Sequence, residues 1–312
     1  MLNHKIERKQ AISEVSKRLR KEAELRGLEI DVKVRNDNGI SLQMNCLEYA
    51  YIDGKFGLHV TRGWYFDIVN TYRNDQDEFY KLLRDNKEIP TTSQVTYMTF
   101  KETFEKYVKE GKKVLYMAGS SKGSGTYQSA MLAKNDIESD DIYIFDTYSL
   151  CIGGGLLVLE AAKMVEEGLD IDTIIKKLEE YKDKVQVYFS VDSLDYLYKG
   201  GRISGTKAAV GSLLNIKPIL KIEDGLVKQK TQVRGSKKII PTLIEKLKEE
   251  IGDDFSDKDI YVGYGDDLET NEKFVEKVKE ELSPKNVYTF RIGSCVACHS
   301  GPTVIGIACL NK

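Results

Sequence analysis

The stretch Lys113–Lys134, KVLYMAGSSKGSGTYQSAMLAK, decides the fold. Lys113–Ala118 is a short apolar run of the kind a strand shows when both its faces are covered. Gly119–Gly125 is a Ser/Gly loop, and Tyr127–Lys134 reads as a helix. The same order recurs at Ile142–Asp146 (IYIFD), then Gly153-Gly154-Gly155, then the apolar helix Leu156–Glu167. Strand, turn and helix in repetition predict a parallel α/β sheet.

The texture changes after Gly168. A helix over Ile171–Lys184 leads to a strand over Val185–Val191. Pro218–Glu223 and Leu226–Val233 flank Asp224-Gly225, a strong antiparallel hairpin signal. Amphipathic helices near Lys237–Ile251 and Asn271–Leu282 each precede a strand, Ile260–Tyr264 and Val287–Ile292, and a last strand spans Val304–Leu310. The expected class is α/β: a Rossmann-like parallel-sheet domain over 29–168, then an α+β mixed-sheet domain over 169–312, with the ligand between them.

Residues 1–28 form a helical extension in this reading. Positions 1–27 carry eight Lys/Arg against four Glu, so they hold +4 while the rest holds −6 of the total −2. Ile12, Val15, Leu19 and Ala23 fall at helical spacing. Such a helix either packs on the body by a narrow stripe or serves as a docking arm.

At 312 residues, with 41% hydrophobic and 31% charged residues, the chain has the composition of a soluble two-domain protein. The net charge excludes a basic nucleic-acid surface spread over the whole molecule. No apolar run reaches the roughly 18 residues of a membrane span. The start, MLNHKIERKQ, lacks the apolar core of a secretion signal. The odd count of five cysteines then reads as reduced thiols, and the expected location is cytoplasmic.

The chemistry-bearing residues fall in four places. Gly119–Thr126, between a buried strand and a helix start, is either an anion-attracting turn or an N-cap with flexible glycines; no Lys-Ser/Thr pair makes it a P-loop. Thr91-Thr92-Ser93-Gln94 precedes a helical pattern over Tyr97–Val108, and Thr92 or Ser93 would cap it or face a ligand. Both loops would lie at the carboxyl end of the sheet, where such folds bind ligands. Tyr198–Ser204 is a glycine-bent corner in which Arg202, like Arg234 after the hairpin, is either an intramolecular clamp or a docking charge.

Cys295–Pro302, CVACHSGP, supports two incompatible readings. As C-x-x-C-H it matches c-type haem attachment. As His-Ser-Gly-Pro after a strand it is a buried polar tip at a tight turn, suited to a small anionic group. The expected compartment disfavours haem. Cys295, Cys298 and His299 alone cannot close a metal site, and no residue is nominated as catalytic. His299 could serve a serine nucleophile, but no G-x-S-x-G elbow exists.

With these residues in view, the chain resembles the DegV family, fatty-acid-binding subunits of bacterial fatty acid kinases. Tyr188–Leu220, YFSVDSLDYLYKGGRISGTKAAVGSLLNIKPIL, is the most specific block. TTSQ at 91–94, SSKGSGTYQSA at 120–130, FDTYSLCIGGG at 145–155 and HSGPTVIGI at 299–307 follow the family's order. The resemblance implies a two-domain carrier, without cofactor, that buries the carboxyl group of one long-chain fatty acid and runs its tail into an apolar tunnel. A separate ATP-dependent fatty acid kinase would then form the acyl phosphate used in phospholipid synthesis, with no nucleic acid and no stable membrane insertion involved. Carried over by motif, Thr92, Ser93, Ser120 or Ser121, and His299 contact the carboxyl group. Gly125, Arg202 and Arg234 support the site or dock the kinase. A small-molecule transferase or hydrolase at the same cleft is the alternative. Asn38, Val95, Gly123 and Thr303 depart from the family pattern and bear on ligand choice and kinase competence. In the family reading C-x-x-C-H is a coincidence.

Overall fold

The computed structural model describes residues 49–52, 55–57, 76–85, 91–203 and 215–312, all within one compact unit spanning Leu47–Lys312. The 1–28 extension and Asn38 lie outside the described residues.

A four-stranded sheet has the order β2-β1-β3-β4, with β1 Tyr49–Ile52, β2 Lys55–Gly57, β3 Val114–Ala118 and β4 Ile142–Asp146. The parallel pairing expected from the strand–turn–helix order joins β3 and β4, Leu115 opposite Tyr143. On the other edge of β3, β1 runs antiparallel and β2 antiparallel to β1. All five residues of β3 are buried, as its unbroken apolar run requires.

Helix α1 spans Gln76–Asp85, α2 Tyr97–Lys109 and α3 Thr126–Ile137. Helices α2 and α3 cover one face of the sheet, where Phe100, Phe104 and Tyr107 meet Tyr116, Ala130 and Ile142. The opposite face, Leu115, Met117 and Phe145, meets α4 (Ile152–Glu166) and α5 (Ile171–Lys182). Helix α4 is apolar nearly all round and buried over most of its surface, with an exposed line at Leu159, Lys163 and Glu166. It touches the small sheet on one side and the large sheet on the other.

The sequence places Gly153–Gly155 in a turn before this helix, but they form its first turn. The reason is space: a Cβ on Gly153 would lie 2.0 Å from Ser149 Oγ and 2.8 Å from Val187 Cγ2. Here glycine permits close helix–sheet approach, which outweighs its low helix propensity.

The large sheet has the order β7-β6-β5-β10-β8-β9, antiparallel except for β8 with β9. Its strands are β5 Val185–Ser190, β6 Ile216–Glu223, β7 Leu226–Arg234, β8 Asp259–Tyr264, β9 Asn286–Arg291 and β10 Ile305–Leu310. The β6–β7 hairpin turns at Asp224 (φ 52°) and Gly225 (φ 75°), both left-handed, as an Asp-Gly two-residue loop demands. Helices α6 (Asp195–Lys199), α7 (Ile239–Ile251), α8 (Leu268–Leu282) and α9 (Ser294–Ser300) complete the described elements. Leu243, Leu247, Phe274 and Val278 of α7 and α8 pack against Tyr188, Ile260, Val262 and Ile307.

Two placements depart from sequence order. Helix α1, which precedes the small sheet's parallel pair, packs through Tyr80 and Leu83 with Val191, Leu194, Leu197, Ile292 and Ala297 beside the large sheet. Cys295–His299, expected at a tight turn, lies on the short helix α9, and the turn begins only at Gly301 (φ 80°). No helix among the described residues is long and apolar enough to cross a membrane.

Candidate functional site

Thr92 and His299, on opposite halves of the sequence, meet directly: Thr92 Oγ1 lies 2.7 Å from His299 Nε2. Helix α9 presents the imidazole. The end of α6 closes behind it, since a Cβ on Gly200 would fall 2.3 Å from His299 Nδ1. Burial, and then the nearby positive charge of Arg202, push the His299 pKa down to about 4. The imidazole is therefore neutral near pH 7 and carries one N–H. Nε2 is bonded to Thr92, while Nδ1 is buried without a partner among the described residues.

The loop carrying Thr92 is free of capping duty. Thr96 caps α2, accepting from the Thr99 N–H at 3.2 Å, where the sequence favoured Thr92 or Ser93. Capping needs the side chain two or three residues ahead of the amide it accepts from, and the helix begins at Tyr97. Gln94 Nε2 donates to Ser129 Oγ at 3.3 Å, and the Val95 N–H donates to Thr126 Oγ1 at 3.3 Å. A proline in place of Val95 could not make that second bond. Gly125 is where this loop docks: a Cβ there would lie 1.9 Å from Gln94 Oε1. Ser93 is exposed beside Thr92.

The 119–126 loop corrects the anion-cradle reading. Its amides turn inward: the N–H groups of Ser120, Gly123 and Ser124 bond backbone carbonyls, and Ser121, Lys122 and Thr126 bond side chains. Ser121 donates its amide to the Asp146 carboxylate at 3.2 Å. Ser120 is fully buried, and its hydroxyl donates to the Gly225 carbonyl at 2.6 Å while accepting from the Lys122 N–H. Its hydroxyl thus ties the loop to the hairpin. Of the two serines, Ser121 is the one whose hydroxyl has no hydrogen-bond partner among the described residues. The space that Gly123 leaves is filled by Leu150, whose Cδ2 would stand 3.1 Å from a Cβ there.

Arg202 joins the two halves. Its Nε donates to the Gly123 carbonyl at 3.2 Å, and Nη1 donates to the Gly200 carbonyl. No carboxylate among the described residues pairs with it. A half-buried guanidinium without a counter-ion among the described residues, beside a neutral imidazole that is bonded to the Thr92 hydroxyl, is chemistry suited to a small anion. Arg234, at the end of edge strand β7, is exposed and not bonded to this group.

Cys298 is buried and its thiol is pushed up to about 11 by burial, so it is no ready thiolate for a metal or a vinyl group. Among the described residues no three His, Cys, Asp or Glu are placed to hold a metal ion.

The sequence did not mark Gly200, Gly225, Gln94 or Asp146. Gly200 stands beside Arg202 in the glycine-bent corner, a usable signal. The Gly225 carbonyl carries none, because its partner is 105 residues away.

Comparison with known proteins extends the sequence resemblance. The profile of the DegV family matches residues 64–312. A DegV domain-containing protein of Clostridium perfringens is 41% identical over 228 residues, covering 72% of this chain and 78% of that protein. The crystal structure of a DegV lipid-binding protein from Thermotoga maritima aligns with a TM-score of 0.69 at 32% identity, over 76% of this chain and 83% of that one. That of DegV, a fatty acid binding protein from Bacillus subtilis, aligns at 0.66 and 28% identity, over 85% of this chain and 90% of that one. The chain belongs to the DegV family.

Proposed function

We propose that this chain is a fatty-acid carrier that binds a long-chain fatty acid with its carboxyl group at the Thr92–His299 pair. Burying a carboxylate without partners is very costly, so the site must replace its water with hydrogen bonds and a counter-charge. A neutral His299 that donates Nε2–H to Thr92 frees the Thr92 hydroxyl proton for a carboxylate oxygen. Ser121 and Ser93 offer further hydroxyls, and Arg202 supplies the positive charge. The tail supplies most of the affinity, at about 0.8 kcal/mol per buried CH₂, while the polar end sets orientation. The observation that carries this reading is Arg202, with no carboxylate partner among the described residues, beside a neutral Thr92–His299 pair. The fatty-acid binding described for solved relatives supports it.

In this reading the ligand lies between an α/β domain over 29–168 and an α+β domain over 169–312, and the chain holds its cargo without transforming it. A separate ATP-dependent kinase would phosphorylate the presented carboxylate, feeding phospholipid synthesis in the cytoplasm, with Arg234 as a docking charge.

The Thr92–His299 pair also has the form of a nucleophile and its base, which raises the hydrolase alternative. Its electrostatics oppose that use. A base needs a pKa near the working pH and a carboxylate to orient its second nitrogen. His299 is depressed to about 4, lacks a partner on Nδ1 among the described residues, and lies near a cation. Titration with palmitate and with hexadecanol tests the proposal: palmitate should bind far more tightly, and equal affinity would overturn the head-group assignment.

A further inference from the structure

Helix α1 precedes Thr92 in the chain, yet it is fastened to the elements that hold His299. Tyr80, buried in the α1 interface, donates its hydroxyl to the Ile292 carbonyl at 2.6 Å, just ahead of α9. From the other side, Tyr196 of α6 donates its hydroxyl to the Leu83 carbonyl at 3.1 Å. The same Tyr196 ring packs on Gly301, where a Cβ would lie 2.7 Å from its Cδ2. Helix α1 therefore grips α9 and α6, which enclose the imidazole.

Its remaining hold is ionic. Arg84 pairs with Asp266 through both Nε and Nη2, and the Asp266 side chain is only 10% exposed. Arg291 bonds the Gly265 carbonyl and Asp77, and its guanidinium lies 4.6 Å from the Tyr80 ring centroid. Against this, the apolar footprint of α1 is small: among its described side chains only Tyr80 and Leu83 are buried. A ten-residue helix has little stability of its own, so its place depends on these few fastenings.

In sequence Thr92 follows Asp85, the last residue of α1, by seven positions. Beyond Thr92 the chain is anchored to α3, through Gln94 to Ser129 and Val95 to Thr126. Among the described residues, Thr92 thus lies between the fastenings of α1 and the anchor on α3, and the α1 fastenings are the ones made to the elements that hold His299. We propose that α1 is a latch that positions Thr92, with the Arg84–Asp266 pair as its fastening and Asp266 as the key positioning residue. Release of the ligand then requires α1 to let go. This rests on the head-group reading, since it assigns Thr92 to the carboxylate.

Two readouts on the full chain test the latch, one with ligand and one without. The probe is cis-parinaric acid, a fluorescent long-chain fatty acid. Asp266→Asn should raise its release rate and weaken its binding by about fivefold, the scale of a well-formed, partly exposed ion pair. The reversed pair, Arg84→Asp with Asp266→Arg, should restore both. Without ligand, NMR titration of the His299 imidazole should show its midpoint rising in Asp266→Asn, because the ring loses Thr92 and gains water. If Asp266→Asn fails to fold, Arg84→Gln takes its place in both readouts. An unchanged His299 titration overturns the latch, whatever the chain binds. A titration shifted in Asp266→Asn, together with a wild-type chain that binds no parinaric acid, upholds the latch and sinks the carrier reading instead. A shifted titration with unaltered release overturns the role of the latch in ligand exchange.

Discussion

Thr92 and His299 stand 207 residues apart in sequence and 2.7 Å apart in space. The bond joins a loop docked on α3 to a helix that packs beside the large sheet. Because Thr96 caps α2 independently, Thr92 can be altered without unravelling the helix that follows. Thr92→Val should therefore weaken fatty-acid binding by about tenfold, the scale of one hydrogen bond to a charged group, and leave thermal unfolding nearly unchanged. Calorimetric titration beside a melting curve checks both halves.

Gly200 has no room for a side chain. A Cβ there would press on His299 Nδ1 at 2.3 Å and on the Tyr196 carbonyl at 3.0 Å. The imidazole or the end of α6 must move, so Gly200→Ala should cost about 1–3 kcal/mol of stability, the range of overpacked sites. It should also shift the His299 imidazole resonances, which two-dimensional NMR would register.

The two serines of the 119–126 loop, which the sequence leaves interchangeable as carboxyl contacts, should differ in phenotype. Ser120→Ala removes the bond to the Gly225 carbonyl in a fully buried setting and should cost about 1–3 kcal/mol in urea unfolding. Ser121→Ala breaks no hydrogen bond of its hydroxyl among the described residues, and should lower fatty-acid affinity while leaving stability intact. The reverse pattern would return Ser120 to the head-group site.

His299 gives the empty protein a pH signature. Its folded pKa is depressed to about 4, whereas the unfolded chain protonates near 6.5. Between those values the unfolded state binds more protons, so stability falls as pH drops from about 6.5 toward about 4. Above the unfolded value the full stability is present. His299→Gln should flatten this part of the profile in urea melts across that range.

Much of the architecture was legible because its signals are local. The apolar runs of β3 and β4 and the Asp224-Gly225 hairpin reflect preferences over a few neighbouring residues. Gly153–Gly155 misled for a physical reason: glycine marks a turn in isolation, but here Ser149 and Val187 press so closely that only glycine fits the helix. The loop at 119–126 misled likewise, since whether an amide faces solvent or its own loop depends on Asp146, Ser149 and Gly225, none of them within it. Thr92, Ser121 and His299 could be nominated by residue type. The meeting of Thr92 with His299 could not, because it joins residues 207 apart in sequence.

The central claim is that this chain carries a long-chain fatty acid at the Thr92–His299 pair. Native mass spectrometry of the gently purified protein tests it most directly. The account predicts a mass exceeding the bare chain by one long-chain fatty acid, with occupancy reduced in Thr92→Val and His299→Ala. A bare-chain mass in every preparation, unchanged after incubation with palmitate, would contradict it.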